Sequence, residues 1–163
     1  MRAAEGFHER EGDSAQANVA ESMLLAANAS LRSFVAARQI EIDNGEENKR
    51  GIVPPSTELA QQALIIARRF ETVREEYPAE ATTQTALLWQ WLGQDQAAIA
   101  EFERGIANHP EQGSIHDAYL RSMATMGQYQ AACGAYSRFV RADTDAVILL
   151  WYQGKALYVL ADD

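Results

Sequence analysis

Apolar residues recur at steps of three and four along the first part of the chain, which is the spacing of one face of an α-helix. Ser14 is a suitable N-cap and Asn44-Gly45 an end signal, so we predict a long helix over residues 14 to about 43. The apolar positions of its face are Val19, Met23, Ala26, Ala27, Leu31, Phe34 and Val35. The polar, charged residues 1–13 are predicted to be a flexible lead-in.

Two further segments lead to Pro78. Residues 44–56 contain glycines and a Pro-Pro pair, and are predicted to be a linker. Thr57 is the predicted N-cap of a second helix, whose apolar positions recur through Val73 and which ends before Pro78.

Beyond Pro78 the pattern changes to short helices with regular breaks at Gly93, at Pro110 to Gly113, at Gly127 and at Asp143 to Asp145. The predicted helices cover roughly residues 80–92, 95–108, 113–126, 128–141 and 145–161. No stretch alternates with the period of two that a strand requires. The chain is therefore predicted to be all-α, with about seven helices.

The second half of the chain repeats at a fixed step, the one that separates Gly93 from Gly127. The same step separates Ala98 from Ala132, Phe102 from Tyr136, and Trp89 from Met123. The shared core reads Gly-Gln-x-Gln-Ala-Ala-x-x-x-aromatic. At these residues the chain resembles the tetratricopeptide repeat (TPR) family, whose helix–turn–helix unit of about 34 residues has the same length.

Each shared residue type has a physical role in such a unit. Glycine permits a tight turn between the two helices, because it has no Cβ to oppose a positive φ. Alanine allows the paired helices to approach closely, and the aromatic residue four positions later fills the same face. Pro110 is expected to end the second helix and to start the next unit.

The resemblance implies antiparallel helix-pair repeats stacked as a right-handed α-solenoid. Residues 79–163 would hold two repeats and the first helix of a third. Residues 14–78 would form a degenerate repeat, since the step from Phe70 and Pro78 to Phe102 and Pro110 is two positions shorter than the repeat step.

The family's register also implies a concave groove lined by the first helix of each unit. The groove-facing candidates are Thr83, Leu87, Gln90, Trp91, Asp117, Arg121, Trp151, Lys155 and Tyr158. Aromatic side chains there would anchor a peptide or protein segment, with the cations meeting a carboxylate. Alternatively, Trp151 and Tyr158 pack against a neighbouring helix, as Trp89 is expected to do.

Other roles remain open. Chaperone-binding family members clamp a terminal carboxylate with Lys and Asn, but the matching positions here hold Thr83, Leu87 and Asp117, which does not favour that ligand. The repeat is also similar to the helical regulatory domain of bacterial transcriptional activators. A third interpretation is a self-associating fragment or homodimer, formed through the uncapped C-terminal helix that carries Leu150 and Leu157.

Composition limits the class of protein. The 163 residues are 47% apolar and 23% charged, typical of a globular chain. A net charge of −9 disfavours binding of nucleic acid or of an anionic membrane by this chain. The single cysteine, Cys133, lies among small residues and is predicted to be a small buried side chain. Because neither a signal peptide nor a membrane span is evident, we expect a cytoplasmic protein.

No catalytic arrangement is evident. His8 stands near Glu9, Glu11 and Asp13, which we interpret as a solvated charged tail and not as a metal site. His116 and Asp117 are adjacent, so on a helix their side chains diverge by about 100° and form no dyad. Phosphate loops, zinc spacings and nucleophile elbows are absent from the sequence. We therefore expect a non-catalytic protein that uses no cofactor or metal.

Overall fold

The computed structural model of the chain describes residues 2–47 and 52–128, with side chains described from residue 17 onward. These residues are all-helical and contain no strand, which confirms the all-α prediction for this part. The helices are α1 (Arg2–Asn44), α2 (Thr57–Glu71), α3 (Pro78–Trp91), α4 (Asp95–Asn108) and α5 (Gly113–Thr125). The two remaining predicted helices belong to residues 129–163 and lie outside the described residues.

Helix α1 begins at Arg2, ahead of the predicted N-cap Ser14. The helical backbone therefore includes residues 2–13, which the sequence analysis assigned to a lead-in. Strong helix formers (Ala, Glu and Arg) make up most of this segment, and its two glycines each cost only about 1 kcal/mol in helix propensity.

The buried face of α1 agrees with the predicted one in part. Ala27, Leu31 and Phe34 are buried as predicted, whereas Val19 and Met23 are 58% and 42% exposed. The buried positions of α1 are Ala20, Leu24, Ala27, Leu31, Phe34 and Arg38, separated by alternating steps of four and three. Apolar residues occupy both stripes, so periodicity alone could not decide between them; packing on α2 and α3 selects the one with Leu24 and Phe34.

The ends of α2 and α3 are set by local chemistry. Ser56, and not the predicted Thr57, is the N-cap of α2: its backbone is extended and its Oγ accepts the Leu59 N–H at 3.2 Å. At the next break Pro78 is the first residue of α3, where a proline's missing N–H leaves no bond unmade.

Two apolar clusters form the core, and α3 contributes to both. The first joins α1, α2 and α3, with Phe34, Phe70 and Leu88 fully buried. The second joins α3, α4 and α5 around Phe102, whose ring centroid lies 5.3 Å from that of Tyr119. Trp89 packs against both clusters, in agreement with the core role expected for it. Helix α3 thus packs against both α1 and α5.

The sequence repeat is matched by a repeat in burial and in backbone conformation. Buried positions of α3 recur one repeat step later in α5. The residues Ala81, Thr85, Ala86 and Leu88 of α3 correspond to Ile115, Tyr119, Leu120 and Ser122 of α5, and all eight are buried. Gly93 and Gly127 both adopt positive φ, at 70° and 73°, which confirms the role predicted for these glycines. The backbone hydrogen bonds match as well: Gln94 N donates to Trp89 O at 2.9 Å, and Gln128 N donates to Met123 O at 2.8 Å.

Helices α3 and α4 are in close contact where Gly105 meets Thr82. A Cβ on Gly105 would lie 2.5 Å from Thr82 Cγ2 and 2.7 Å from Thr82 Oγ1, so only glycine fits without movement. The Thr82 hydroxyl is fully buried and accepts a 3.0 Å hydrogen bond from Arg74 Nη1. This contact fixes the separation of the two helices.

Beside this contact, two arginines and two glutamates form a closed ring of ion pairs. Arg74 lies 2.8 Å from Glu71 and 2.7 Å from Glu101, and Arg104 lies 3.1 Å and 2.9 Å from the same two carboxylates. Burial raises the pKa of Glu71, but hydrogen bonds from Arg104 and Arg74 outweigh it and hold that pKa below its ordinary value. The ring ties the end of α2 and the segment after it to α4.

Candidate functional site: a groove beside α3

Two adjoining cavities lie along the side of α3 that faces α1. The first, of about 490 Å³, is lined mainly by apolar side chains, among them Ile42, Ile52, Trp91 and Met126. The second, of about 610 Å³, lies between α1 and α3 and includes Leu31 and Val35. Leu87 and Trp91 line both cavities, so the two form a single groove with a shared wall. We call them the first and second pockets.

The first pocket depends on a buried arginine of α1. Arg38 is 1% exposed, and its Nε donates to the Trp91 carbonyl at 2.9 Å. Its Nη1 donates to Glu41 at 3.0 Å, and its Nη2 donates to the Val53 carbonyl. One guanidinium therefore joins α1, the C-terminal end of α3 and the segment that precedes α2. A cation is also favourable beside the last carbonyls of α3, where the helix dipole is negative.

The segment that precedes α2 supplies one wall of the first pocket. A Cβ on Gly45 would overlap Val53 Cγ1, so glycine is required where the chain folds back on itself. Ile52 Cγ2 lies 3.3 Å from the position that a Cβ on Gly93 would take. The segment predicted to be a linker therefore packs against the α3–α4 turn and forms part of the site.

Hydrogen bonds hold this wall to α1. The Ser56 N–H donates to Glu41 Oε2 at 3.3 Å. Hydrogen bonding with the Ser56 side chain is the largest cause of a lowered Glu41 pKa; burial opposes it, and the Ser56 backbone and Arg38 add to it. Glu41 is thus held as a carboxylate between the N-cap of α2 and Arg38.

Charge is distributed unevenly along the groove. Glu47 and Asp95 line the first pocket, and among the described residues neither has an ion-pair partner. Arg38 lines it too, but its donors are directed at Glu41 and two carbonyls. The second pocket contains Arg32 and no carboxylate among its lining residues. As far as the described residues show, the groove therefore has an acidic end and a basic end.

The chain was also compared with known proteins. No protein-family model, curated protein or solved structure matches it. Among the described residues, no helix is both long and apolar enough to cross a membrane. The same part of the chain contains no group of three or more His, Cys, Asp or Glu side chains that could hold a metal ion.

Three of the predicted groove residues lie together. Leu87 is 37% exposed, and Gln90 and Trp91 are partly buried; all three line the first pocket. Gln90 Nε2 also lies 3.5 Å from the Ser122 carbonyl, so it spans α3 and α5. Trp91 packs against the first core cluster with part of its ring.

Asp117 and Arg121 line neither pocket. They pair with each other one turn apart on α5, with 2.6 Å between Arg121 Nη2 and Asp117 Oδ2. His116 Nε2 lies 3.0 Å from the Pro110 carbonyl oxygen. The candidates Trp151, Lys155 and Tyr158 lie outside the described residues.

Sequence reasoning missed the contribution of α1 and of the segment after it. Arg38 was not identified, although it extends the buried stripe of Leu31 and Phe34 by one more step of four. An arginine at a core position of a helix is a usable signal, because an unpaired buried charge is costly and such a residue must have partners. The carbonyls that satisfy it are distant in sequence and gave no signal.

Proposed function

We propose that this chain is a non-catalytic protein-interaction module of the TPR-like kind, which binds a segment of a partner protein in the groove beside α3. The observation that carries the proposal is the pair of apolar pockets that share Leu87 and Trp91. Concave, mainly apolar sites of about 300–1,000 Å³ with a few polar groups are typical binding sites. A groove with two such pockets suits two large side chains of one segment better than one small molecule.

Repeated geometry supports the TPR-like part of the proposal. The α3–α4 turn and the turn after α5, one repeat step apart, share their positive-φ glycine and their backbone hydrogen bonds. Ahead of these repeats, the buried residues Ile66, Phe70 and Val73 correspond to buried Ala98, Phe102 and Gly105. Each pair is separated by two positions fewer than the repeat step, as a degenerate first repeat would require. We extend this to a right-handed solenoid of about seven helices, in which α1, α3 and α5 line the concave side.

A test uses random peptides displayed on phage. Binders would be selected on the wild-type protein and then compared on Leu87→Glu, which places a charge in the shared wall at a side chain that is already 37% exposed. Leu64→Glu is the matched control, since Leu64 is 53% exposed on α2 and lines neither pocket.

We expect binders that are captured by the wild type and by Leu64→Glu, but lost on Leu87→Glu. If no binder distinguishes the two variants, the groove is not the binding site. The proposal retains the expectations of a cytoplasmic location and of no cofactor.

A further inference from the structure

We infer that the partner segment is cationic at one end: it places an apolar anchor in the first pocket next to a Lys or Arg side chain. The inference rests on the proposed function and adds to it the chemistry and the orientation of the partner. It runs opposite to the carboxylate recognition that the sequence resemblance suggested for the groove.

The first step is the charge of the first pocket. Among its described lining residues the charged side chains are Arg38, Glu47 and Asp95. Arg38 is 1% exposed and donates to Glu41 and to the carbonyls of Trp91 and Val53, so its donors are already used. Glu47 and Asp95 are exposed and have no ion-pair partner in the described part of the chain. A ligand in this pocket therefore meets two carboxylates that pair with no cation among the described residues.

The second step is the apolar surface that lines the same pocket as these carboxylates. Ile52, Val53 and Met126 line the same pocket, with Leu87 and Trp91 as its wall. An anchor that fills this surface removes water from the vicinity of both carboxylates, which strengthens their attraction for a neighbouring cation. A carboxylate on the ligand would instead be repelled by both.

The third step fixes the direction of the segment. The second pocket contains Arg32 and the amides Asn28, Gln39 and Gln84, with no carboxylate among its lining residues. A basic side chain is therefore favoured only at the end of the groove near Asp95. Opposite charges at the two ends specify orientation more than affinity.

The experiment uses the groove-dependent peptides from the selection described above. Binders that need Leu87 would be sequenced and then measured by fluorescence titration against the wild type and Glu47→Gln/Asp95→Asn. The matched control is Glu58→Gln/Glu103→Gln: Glu58 lies in the first turn of α2 as Asp95 does in α4, and neither control residue lines the first or the second pocket. The controls thus reproduce the change in net charge and in helix-dipole interaction.

We expect the groove-dependent peptides to be rich in Lys and Arg beside an apolar residue. Their affinity should drop about threefold to tenfold in Glu47→Gln/Asp95→Asn, as expected for two partly exposed ion pairs, and should be unchanged in the control. Groove-dependent peptides that carry no excess of basic residues, or that bind both variants equally, would overturn this inference and leave the proposed function intact. The absence of any groove-dependent peptide would overturn both.

Discussion

Arg38 and Trp91 are joined by a 2.9 Å hydrogen bond, from a guanidinium on α1 to a carbonyl in the last turn of α3. The same guanidinium reaches the Val53 carbonyl, so three parts of the chain share one buried donor group. Arg38→Met keeps most of the side-chain volume but leaves both carbonyls without this donor. Because a hydrogen bond to a charged group is worth about 1.5–3 kcal/mol, we expect a loss of at least about 2 kcal/mol in the free energy of unfolding by urea.

Arg32→Met is the control for this change. Arg32 also lies on α1 and lines the groove, but it is exposed, so its replacement should alter the free energy of unfolding by less than about 0.5 kcal/mol. If Arg38→Met and Arg32→Met lowered the free energy of unfolding equally, the hydrogen bonds of Arg38 would not be a source of stability. Arg38→Lys should also be destabilising, since one ammonium cannot reproduce the fork of donors.

The contact between Gly105 and Thr82 predicts a pair of coupled substitutions. Gly105→Ala should destabilise the protein by about 1–2 kcal/mol, because the overlap with Thr82 exceeds the gain of about 1 kcal/mol in helix propensity. Thr82→Ala removes both atoms that cause the overlap, leaving Thr82 Cβ 3.2 Å away. The double variant should therefore be at least about 1 kcal/mol more stable than the two single effects predict, as measured by a double-mutant cycle in urea. If the effects of Gly105→Ala and Thr82→Ala on the free energy of unfolding were strictly additive, the close contact between Gly105 and Thr82 would be contradicted.

The two positive-φ glycines should respond differently to alanine. No atom of the described residues lies within 4 Å of a would-be Cβ on Gly127, so Gly127→Ala should cost the backbone strain of about 1–2 kcal/mol. Gly93→Ala adds a 3.3 Å contact with Ile52 Cγ2 and should cause a larger drop in the midpoint of thermal unfolding. Gly113→Ala, at the start of α5, should be neutral or stabilising, since its φ is not positive. If Gly113→Ala lowered the midpoint of thermal unfolding more than Gly93→Ala or Gly127→Ala does, the assignment of positive φ to Gly93 and Gly127 would be contradicted.

The ion-pair ring predicts an acid dependence of stability. The pKa of Glu71 is lowered from 4.5 in the folded protein, so its contribution is fully present above about pH 4.5 and is lost as pH falls through the lowered value. Glu71→Gln should be slightly less stable at pH 7, by less than about 1 kcal/mol because Glu71 is 53% exposed, and should lose less stability than the wild type between pH 5 and 3. Glu103→Gln is the control, since it removes an exposed carboxylate of α4 that has no ion pair in the described part and leaves the four residues of the ring in place.

The helix boundaries from α3 onward could be predicted because their signals are local. Gly93 and Gly127 end helices through their own backbone, and α4 spans the residues that its apolar spacing predicts. The face of α1 could be predicted at Leu31 and Phe34, which are buried as expected. It could not be predicted nearer the start of the helix, because Met23 and Leu24 are both apolar and only contact with α2 and α3 distinguishes them. The wall of the first pocket was missed for a similar reason: Val53 is held by Arg38, distant along the chain, through a carbonyl that no side-chain pattern reveals.

Leu87 and Trp91 belong to both pockets, and this has a consequence for how binding would be measured. A side chain seated on one side of the wall restricts the rotamers of Leu87 and Trp91, and so changes the shape met by a side chain on the other side. The two seats are then not independent, and a half-peptide bound in one pocket would change the affinity of the other pocket for a second half-peptide. The size and sign of that change in affinity would measure the coupling through Leu87 and Trp91.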